Sequence, residues 1–249
     1  MEVQLLSYTP DALRLIFAAG RQCYSPDYAA DIYNSTGLSI EKVEKLVSYL
    51  KESGHTSVLE HATFSFAIKD VSRALTHQLV RHRIASYSQQ SQRYVDLSTE
   101  VDFSEYIIPP KIASNYNLST KYKDLMSSVQ SLYNELVLNN ILPEDARYVL
   151  PNAATTKIVL TMNCVALLHF FGLRCCTLAQ WEIRQLSNKM LAFCKDILPA
   201  VFVDAGSRCI SLGYCPENKK RSCGIYPTKQ EVLDGFAAWK KQNLQEDLI

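Results

Sequence analysis

Residues 81–94 read RHRIASYSQQSQRY. Three arginines, one histidine, three serines, three glutamines and two tyrosines stand together here without a single carboxylate. The chain as a whole is nearly neutral, with 26 Lys and Arg against 25 Asp and Glu. No overall basic field draws in nucleic acid or an anionic membrane, so any positive site is local. Arginine offers a planar donor fork that matches phosphate oxygens, and serine hydroxyls and loop N–H groups add further donors. Two readings follow from the residues alone. Either the stretch binds a small anion supplied from outside the chain, or it is a solvated surface whose arginines pair with distant carboxylates.

Working outward, Gln78, Arg81 and His82 have i, i+3, i+4 spacing and are expected to share a helical face. That signal fades after Arg83, and residues 86–92 read as a polar loop. Upstream, Val71, Leu75 and Leu79 form an apolar stripe that leads into the motif. Before it, Ala62, Phe64, Phe66 and Ile68 alternate with Thr63, Ser65 and Ala67, which predicts a strand. Residues 39–53 place Ile40, Val43, Leu46, Val47 and Leu50 on one helical face between an N-cap at Ser39 and a stop at Gly54.

Downstream, Tyr122, Leu125, Val129, Leu132 and Leu136 predict a long helix over about residues 119–137. PEDARYVLP (143–151) reads as a short helix opened by Pro143 that presents Arg147, and KIVLTMN (157–163) as a second strand. CVALLHFFGL (164–173) and TLAQWEIRQLSNKMLAFCKDIL (177–198) are helical in pattern. Thr228 and Glu231 have the spacing of a capping box ahead of Val232, Phe236 and Trp239. No repeat, low-complexity run or linker divides the chain. One α+β domain over residues 1–249 is expected, with a core of about 1–205 and a cysteine-rich segment plus C-terminal helix in 206–249.

A hydrophobic content of 47% and a charged content of 20% are those of an ordinary globular protein. No apolar run approaches the ~20 residues needed to span a bilayer. The N-terminus, MEVQLLSYTPDALRLIF, lacks the pattern of a secretory signal. Its eight cysteines therefore read as reduced thiols of a cytoplasmic protein. Cys175, Cys176, Cys209, Cys215 and Cys223 contain no C-x-x-C pair, and there is no HExxH, so no metal is expected. Neither G-x-G-x-x-G nor a P-loop is present. His55 and His61 bracket the turn before the first strand, each as a structural histidine or a ligand. Arg147 and Arg174 lie near the ends of apolar segments, where a guanidinium has a bound anion or a carboxylate partner. The nearest such partners are Glu144 and Asp145 for Arg147, and Glu182 for Arg174. A nucleic-acid-binding module would use the same arginines but is disfavoured by the near-zero charge, and a zinc hydrolase would rest on the thiols alone.

At RHRIASYSQQSQR the chain matches the pattern RHR-x2-S-x4-S-x-R, with Arg81, His82, Arg83, Ser86, Ser91 and Arg93 at its six fixed positions. The blocks GHTSVLEH, DARYVLP, TMNCVALLHFFGLR and AQWEIR stand around it. In motif and block order the sequence resembles the flavin-dependent thymidylate synthases, over roughly residues 50–200. The resemblance implies a methyltransferase of α+β fold, with a small antiparallel sheet flanked by helices, assembling as a homotetramer with sites at subunit interfaces. It implies FAD as cofactor, NADPH as reductant and methylenetetrahydrofolate as carbon donor for the methylation of dUMP to dTMP, without a cysteine nucleophile. By position, Gln78, Arg81, Ser91, Arg93 and Arg147 resemble the dUMP site, with loop atoms of Gln89, Gln90 and Gln92. His55, Ser57, Arg81, His82, Arg83, Gln89, Asn163 and His169 resemble the flavin site, and Arg174 the residue that polarises the uracil. Ser88 and Gln89 stand where many members carry Asn and Glu, so a charge is missing at position 89.

Overall fold

Alternating Phe64, Phe66 and Ile68 are 1%, 0% and 2% exposed, as the period-2 pattern requires of a strand with one buried face. The strand is longer than its apolar run, spanning Thr63–Ser72 (β2), and it takes in Val71 from the stripe expected to be helical. It pairs antiparallel with Glu2–Tyr8 (β1), a mostly exposed edge strand with a register shift between Leu5 and Ser7. Ser86–Gln89 (β3) pairs antiparallel with Thr155–Asn163 (β4), and the sheet order is β1-β2-β4-β3. Ser65 and Thr161 bond across β2 and β4 through their hydroxyls, 2.7 Å apart. Ile158, Leu160 and Met162 continue the buried face. Burying each such apolar side chain contributes roughly 1.5–3 kcal/mol.

The structure, a computed structural model, describes residues 1–98 and 105–243; residues 244–249 of the expected C-terminal segment lie outside the described residues. Its chain forms two units, one of residues 1–8 and 63–162, the other of residues 9–62 and 163 onward. In the first, the helix Arg73–Leu79 follows β2 directly, with the Ser72 hydroxyl accepting from the Leu75 N–H at 3.0 Å. Leu75 and Leu79 are fully buried. The helix Tyr116–Leu138 is the long one expected, but a different face is inside. Met126, Gln130 and Tyr133 are buried, while Leu125 and Leu132 are 58% and 45% exposed. The buried Gln130 is satisfied by hydrogen bonds. It accepts from the Tyr106 hydroxyl at 2.8 Å and donates to Leu97 O at 3.1 Å and Asn134 Oδ1 at 2.9 Å.

The second unit is helical. Ala12–Gln22, an element with no forecast from the sequence, packs on Ile40–Glu52. Gly20 permits this approach, since a Cβ there would lie 2.6 Å from Leu50 Cδ1. Ser39 occupies the N-cap of the second of these helices without a side-chain cap bond, and Gly54 follows its end at φ +81°. Phe170 and Phe171 of the helix Cys164–Arg174 cluster with Phe202. The expected helix at 177–198 begins only at Trp181, because the Gln180 side chain accepts from the N–H groups of Glu182 and Ile183 and caps it. The capping box is present, with Thr228 N–H donating to the Glu231 carboxylate at 2.8 Å and Glu231 N–H to the Thr228 hydroxyl at 3.3 Å.

Candidate functional site

In the first unit the helix that enters the motif stops at Leu79. Arg81 and His82 continue as a turn, their N–H groups donating to Gln78 O at 3.3 Å and Leu79 O at 3.1 Å. Gln78, Arg81 and His82 therefore do not share a helical face. The cause is the strand that follows. Residues 86–89 were expected to be loop and are instead β3, whose polar Ser86 and Ser88 suit an exposed sheet edge. Tyr87 fixes the turn, its hydroxyl lying 2.8 and 2.9 Å from the Leu79 and His82 carbonyl oxygens. Burial pushes that hydroxyl's pKa up to about 12, so it stays a donor. Gln89 spends both amide protons inside, on Thr76 Oγ1 at 3.0 Å and Thr156 Oγ1 at 3.2 Å. A glutamate at this position could donate neither bond and would have to accept from the threonine hydroxyls instead.

Beyond β3 the chain turns. Gln90 N–H donates to Lys157 O at 2.9 Å, and Ser91 Oγ accepts from Arg93 N–H at 3.1 Å. Arg93 reaches Glu144, with Nε and Nη2 donating to one carboxylate oxygen at 3.1 and 2.9 Å, and its guanidinium lies 5.3 Å from the Tyr94 ring centre. Glu144 belongs to the short helix Pro143–Ala146, whose C-cap is Arg147. Arg147 Nε donates to the Glu144 backbone carbonyl at 3.0 Å, not to its carboxylate. On the other side Arg73, the first residue of the helix Arg73–Leu79, points Nη1 to Gln90 O at 3.5 Å. Burial, and then the positive charge of Arg147, hold the Arg73 guanidinium below its ordinary pKa. Three guanidiniums and one carboxylate thus meet at the 90–93 turn. Those four side chains sum to +2.

In the second unit His55 and Ser57 lie at the start of the 3-10 helix Thr56–His61, and both are exposed. That element packs against the helix Cys164–Arg174, and Cys164 N–H donates to Ala62 O at 2.9 Å. Asn163 caps the same helix by accepting from Ala166 N–H at 2.8 Å, and His169 is exposed along it. Arg174 is its last residue, half-buried, with its pKa lowered by burial. The unit thus brings together two imidazoles, a hydroxyl and an amide on two contacting elements.

The family description "Thymidylate synthase complementing protein" matches residues 4–200. A flavin-dependent thymidylate synthase of Nitratidesulfovibrio vulgaris is 48% identical over 241 residues, covering 92% of this chain and 97% of its own. Another, of Pyrococcus furiosus, is 45% identical over 221 residues, covering 87% and 90%. The chain belongs to the flavin-dependent thymidylate synthases. Members of that family are methyltransferases, and this one is therefore an enzyme of that class. A crystal structure of the Helicobacter pylori flavin-dependent thymidylate synthase, complexed with FAD and dUMP, has the same fold. It superposes with a TM-score of 0.68 over 83% of this chain and 100% of its own, at 24% identity.

One residue of this family member's arginine cluster escaped the sequence reading. Arg73 lies eight residues before the motif, outside any periodic signal. A clue was present, since a cation in a first helical turn opposes the helix dipole. The cysteine-rich segment lies past residue 200, where the family match ends. Cys176, Cys209, Cys215 and Cys223 line a cavity of about 510 Å³ together with Arg174. Among the described residues no three His, Cys, Asp or Glu side chains are placed to hold a metal ion. No described helix is long and apolar enough to cross a membrane.

Proposed function

We propose that this protein converts dUMP, methylenetetrahydrofolate, NADPH and a proton into dTMP, tetrahydrofolate and NADP⁺, with FAD bound. The observation that carries the reading is the cluster of three guanidiniums around one carboxylate, in a chain of this family. Its charge of +2 complements a phosphate dianion. Arg93 and Arg147 take the phosphate of dUMP. Ser91 and backbone groups of residues 89–92 add donors there, and Gln78 and Arg81 complete the nucleotide's contacts.

The donor set fits a flavin dinucleotide. Among the described residues no carboxylate pairs with Arg81 or Arg83, and His55, Ser57, Asn163 and His169 offer further hydrogen-bonding groups. These residues, with His82 and Gln89, would hold FAD. When bound, the flavin passes on the reducing equivalents of NADPH. Arg174 acts on the uracil. Carbon 5 becomes a nucleophile when negative charge spreads over N3 and its neighbouring carbonyls, and a half-buried guanidinium stabilises that charge as it develops. No enzyme thiolate is needed. Cys164 and Cys194 suit that route, because burial keeps both as thiols.

The subunit works as a single domain, in the cytoplasm, and assembles as a homotetramer with sites at subunit interfaces. The apolar side chains of Leu118, Leu125, Leu132 and Leu138, exposed on one long helix, support burial against other copies. Purified protein should be yellow, and NADPH should bleach it. Arg81→Lys and Arg93→Lys should raise KM for dUMP, and Ala at either site should raise it further. A colourless protein that FAD cannot reconstitute would overturn the proposal.

A further inference from the structure

Four of the eight cysteines, Cys176, Cys209, Cys215 and Cys223, line the cavity of about 510 Å³ in the second unit. Their sulfurs do not gather as metal ligands, since among the described residues no three His, Cys, Asp or Glu side chains are placed to hold an ion. Pairwise thiol chemistry is what such a cluster can do. The four differ in freedom and in activation. Cys215 is buried, and its backbone is pinned by its own N–H to Pro227 O at 2.7 Å and by the Lys229 N–H to its carbonyl at 3.2 Å. Cys209 lies in the short helix Arg208–Leu212, its sulfur 3.1 Å from the Ser207 hydroxyl. Cys223 is exposed, just before Gly224 at φ +81°. The Ile225 N–H and then the Thr177 hydroxyl donate to its sulfur and hold the thiol below its ordinary pKa. Arg174, Arg208 and Arg221 line the same cavity against one carboxylate, Glu217, and positive surroundings favour a thiolate further.

We propose that Cys223 and Cys176 are a redox modification site, joined by a reversible disulfide when the protein meets hydrogen peroxide. The pairing follows from Thr177. Its hydroxyl reaches the Cys223 sulfur, and Cys176 is the residue before it, half-buried and facing the cavity. The adjacent Cys175 is committed elsewhere, its sulfur 3.1 Å from Ser187 Oγ and its thiol pushed up by burial. In the first step the Cys223 thiolate attacks one peroxide oxygen. The O–O bond breaks, the departing hydroxide takes up a proton, and the sulfur is left as a sulfenic acid. In the second the Cys176 sulfur attacks the Cys223 sulfur. An S–S bond forms, the S–O bond breaks, and the oxygen leaves as water with the Cys176 proton. The two thiols lose two electrons, and the peroxide is reduced to two waters. The bridge ties the segment beyond residue 200, where the family match ends, to the residue two past Arg174.

The test treats the purified full-length protein with a small excess of hydrogen peroxide, blocks the remaining thiols, and maps its peptides by mass spectrometry without reduction. A peptide containing Cys176 should appear linked to one containing Cys223, and a dithiol reductant should release it. The thermal midpoint of the oxidised protein should rise by several degrees, since a bridge between distant residues restricts the unfolded chain. Cys223→Ser should abolish both effects. In Cys176→Ser the Cys223 sulfenic acid has no partner, so a cyclic diketone should trap more of it than in wild type. Cys23 is the internal control. It is equally exposed to solvent by class, but its thiol donates to the Ala19 carbonyl at 3.7 Å, so it should oxidise several-fold more slowly than Cys223. A bridge from Cys223 to Cys209 or Cys215 would overturn the pairing. Oxidation of Cys223 that gives no bridge, or that is no faster than that of Cys23, would overturn the site itself.

Discussion

Glu144→Gln should tighten dUMP binding. In the free chain the Glu144 carboxylate occupies the Arg93 fork, at 2.9 and 3.1 Å, and a phosphate must displace it. The side chains are 52% and 41% exposed, so solvent screens the pair strongly. Exposed ion pairs contribute about 0.2–1 kcal/mol. Removing the competitor returns that amount to ligand binding, a factor of about 1.5–5 in affinity. The gain should shrink with added salt, since the screening length falls to about 8 Å at 0.15 M. Initial rates over a range of dUMP concentrations, at low and moderate ionic strength, would read both effects. Folding stability should fall by less than about 1 kcal/mol. A KM that rises in the Gln variant would refute the reasoning. Glu144 would then be a group that orders Arg93 for its ligand.

Other consequences concern Arg174 and the thiols. Arg174→Ala should lower kcat by about 10²–10³ and leave NADPH oxidation by the flavin nearly intact, whereas an effect on KM alone would make Arg174 a binding group. Cys164 is raised from 9.0 to about 12 by burial, so the unfolded chain releases that proton first. Its contribution to stability is complete below pH 9 and is lost as pH rises toward 12, at about 1.4 kcal/mol per pH unit. Urea unfolding of Cys164→Ala at pH 8.5–10 should show a shallower decline than wild type, and an equal decline would contradict this. A disulfide reagent should label the exposed Cys23 and Cys223 first. The Ile225 N–H and the Thr177 hydroxyl hold the Cys223 thiol below its ordinary pKa, so it should lead, and early labelling of buried Cys164 or Cys194 would be the opposite result.

Where one face of an element is strictly apolar, the sequence was a sufficient guide. Phe64, Phe66 and Ile68 on β2 illustrate this; a fixed polar spacing served equally well for the capping box of Thr228 and Glu231. β3 was not legible because its four residues, Ser, Tyr, Ser and Gln, bury no apolar stripe. Its pairing with β4 and the Tyr87 and Gln89 side-chain bonds hold it in place, and none of these has a local signature. The face of the helix Tyr116–Leu138 was misread for a related reason. Hydrophobicity ranks Leu125 and Leu132 above Gln130, but Tyr106, Leu97 and Asn134 supply Gln130 with partners inside. The arginine-rich motif could be read as a phosphate site, yet its geometry could not. Arg73, Glu144 and Arg147 join the 90–93 turn only through tertiary structure.

The central claim is tested by incubating the purified flavin-loaded protein with dUMP, methylenetetrahydrofolate and NADPH and measuring dTMP. The account predicts that each dTMP formed is matched by one NADP⁺, with no dTMP formed when either the folate or the reductant is left out. NADPH consumption without dTMP, with every component present and the flavin bound, would contradict it.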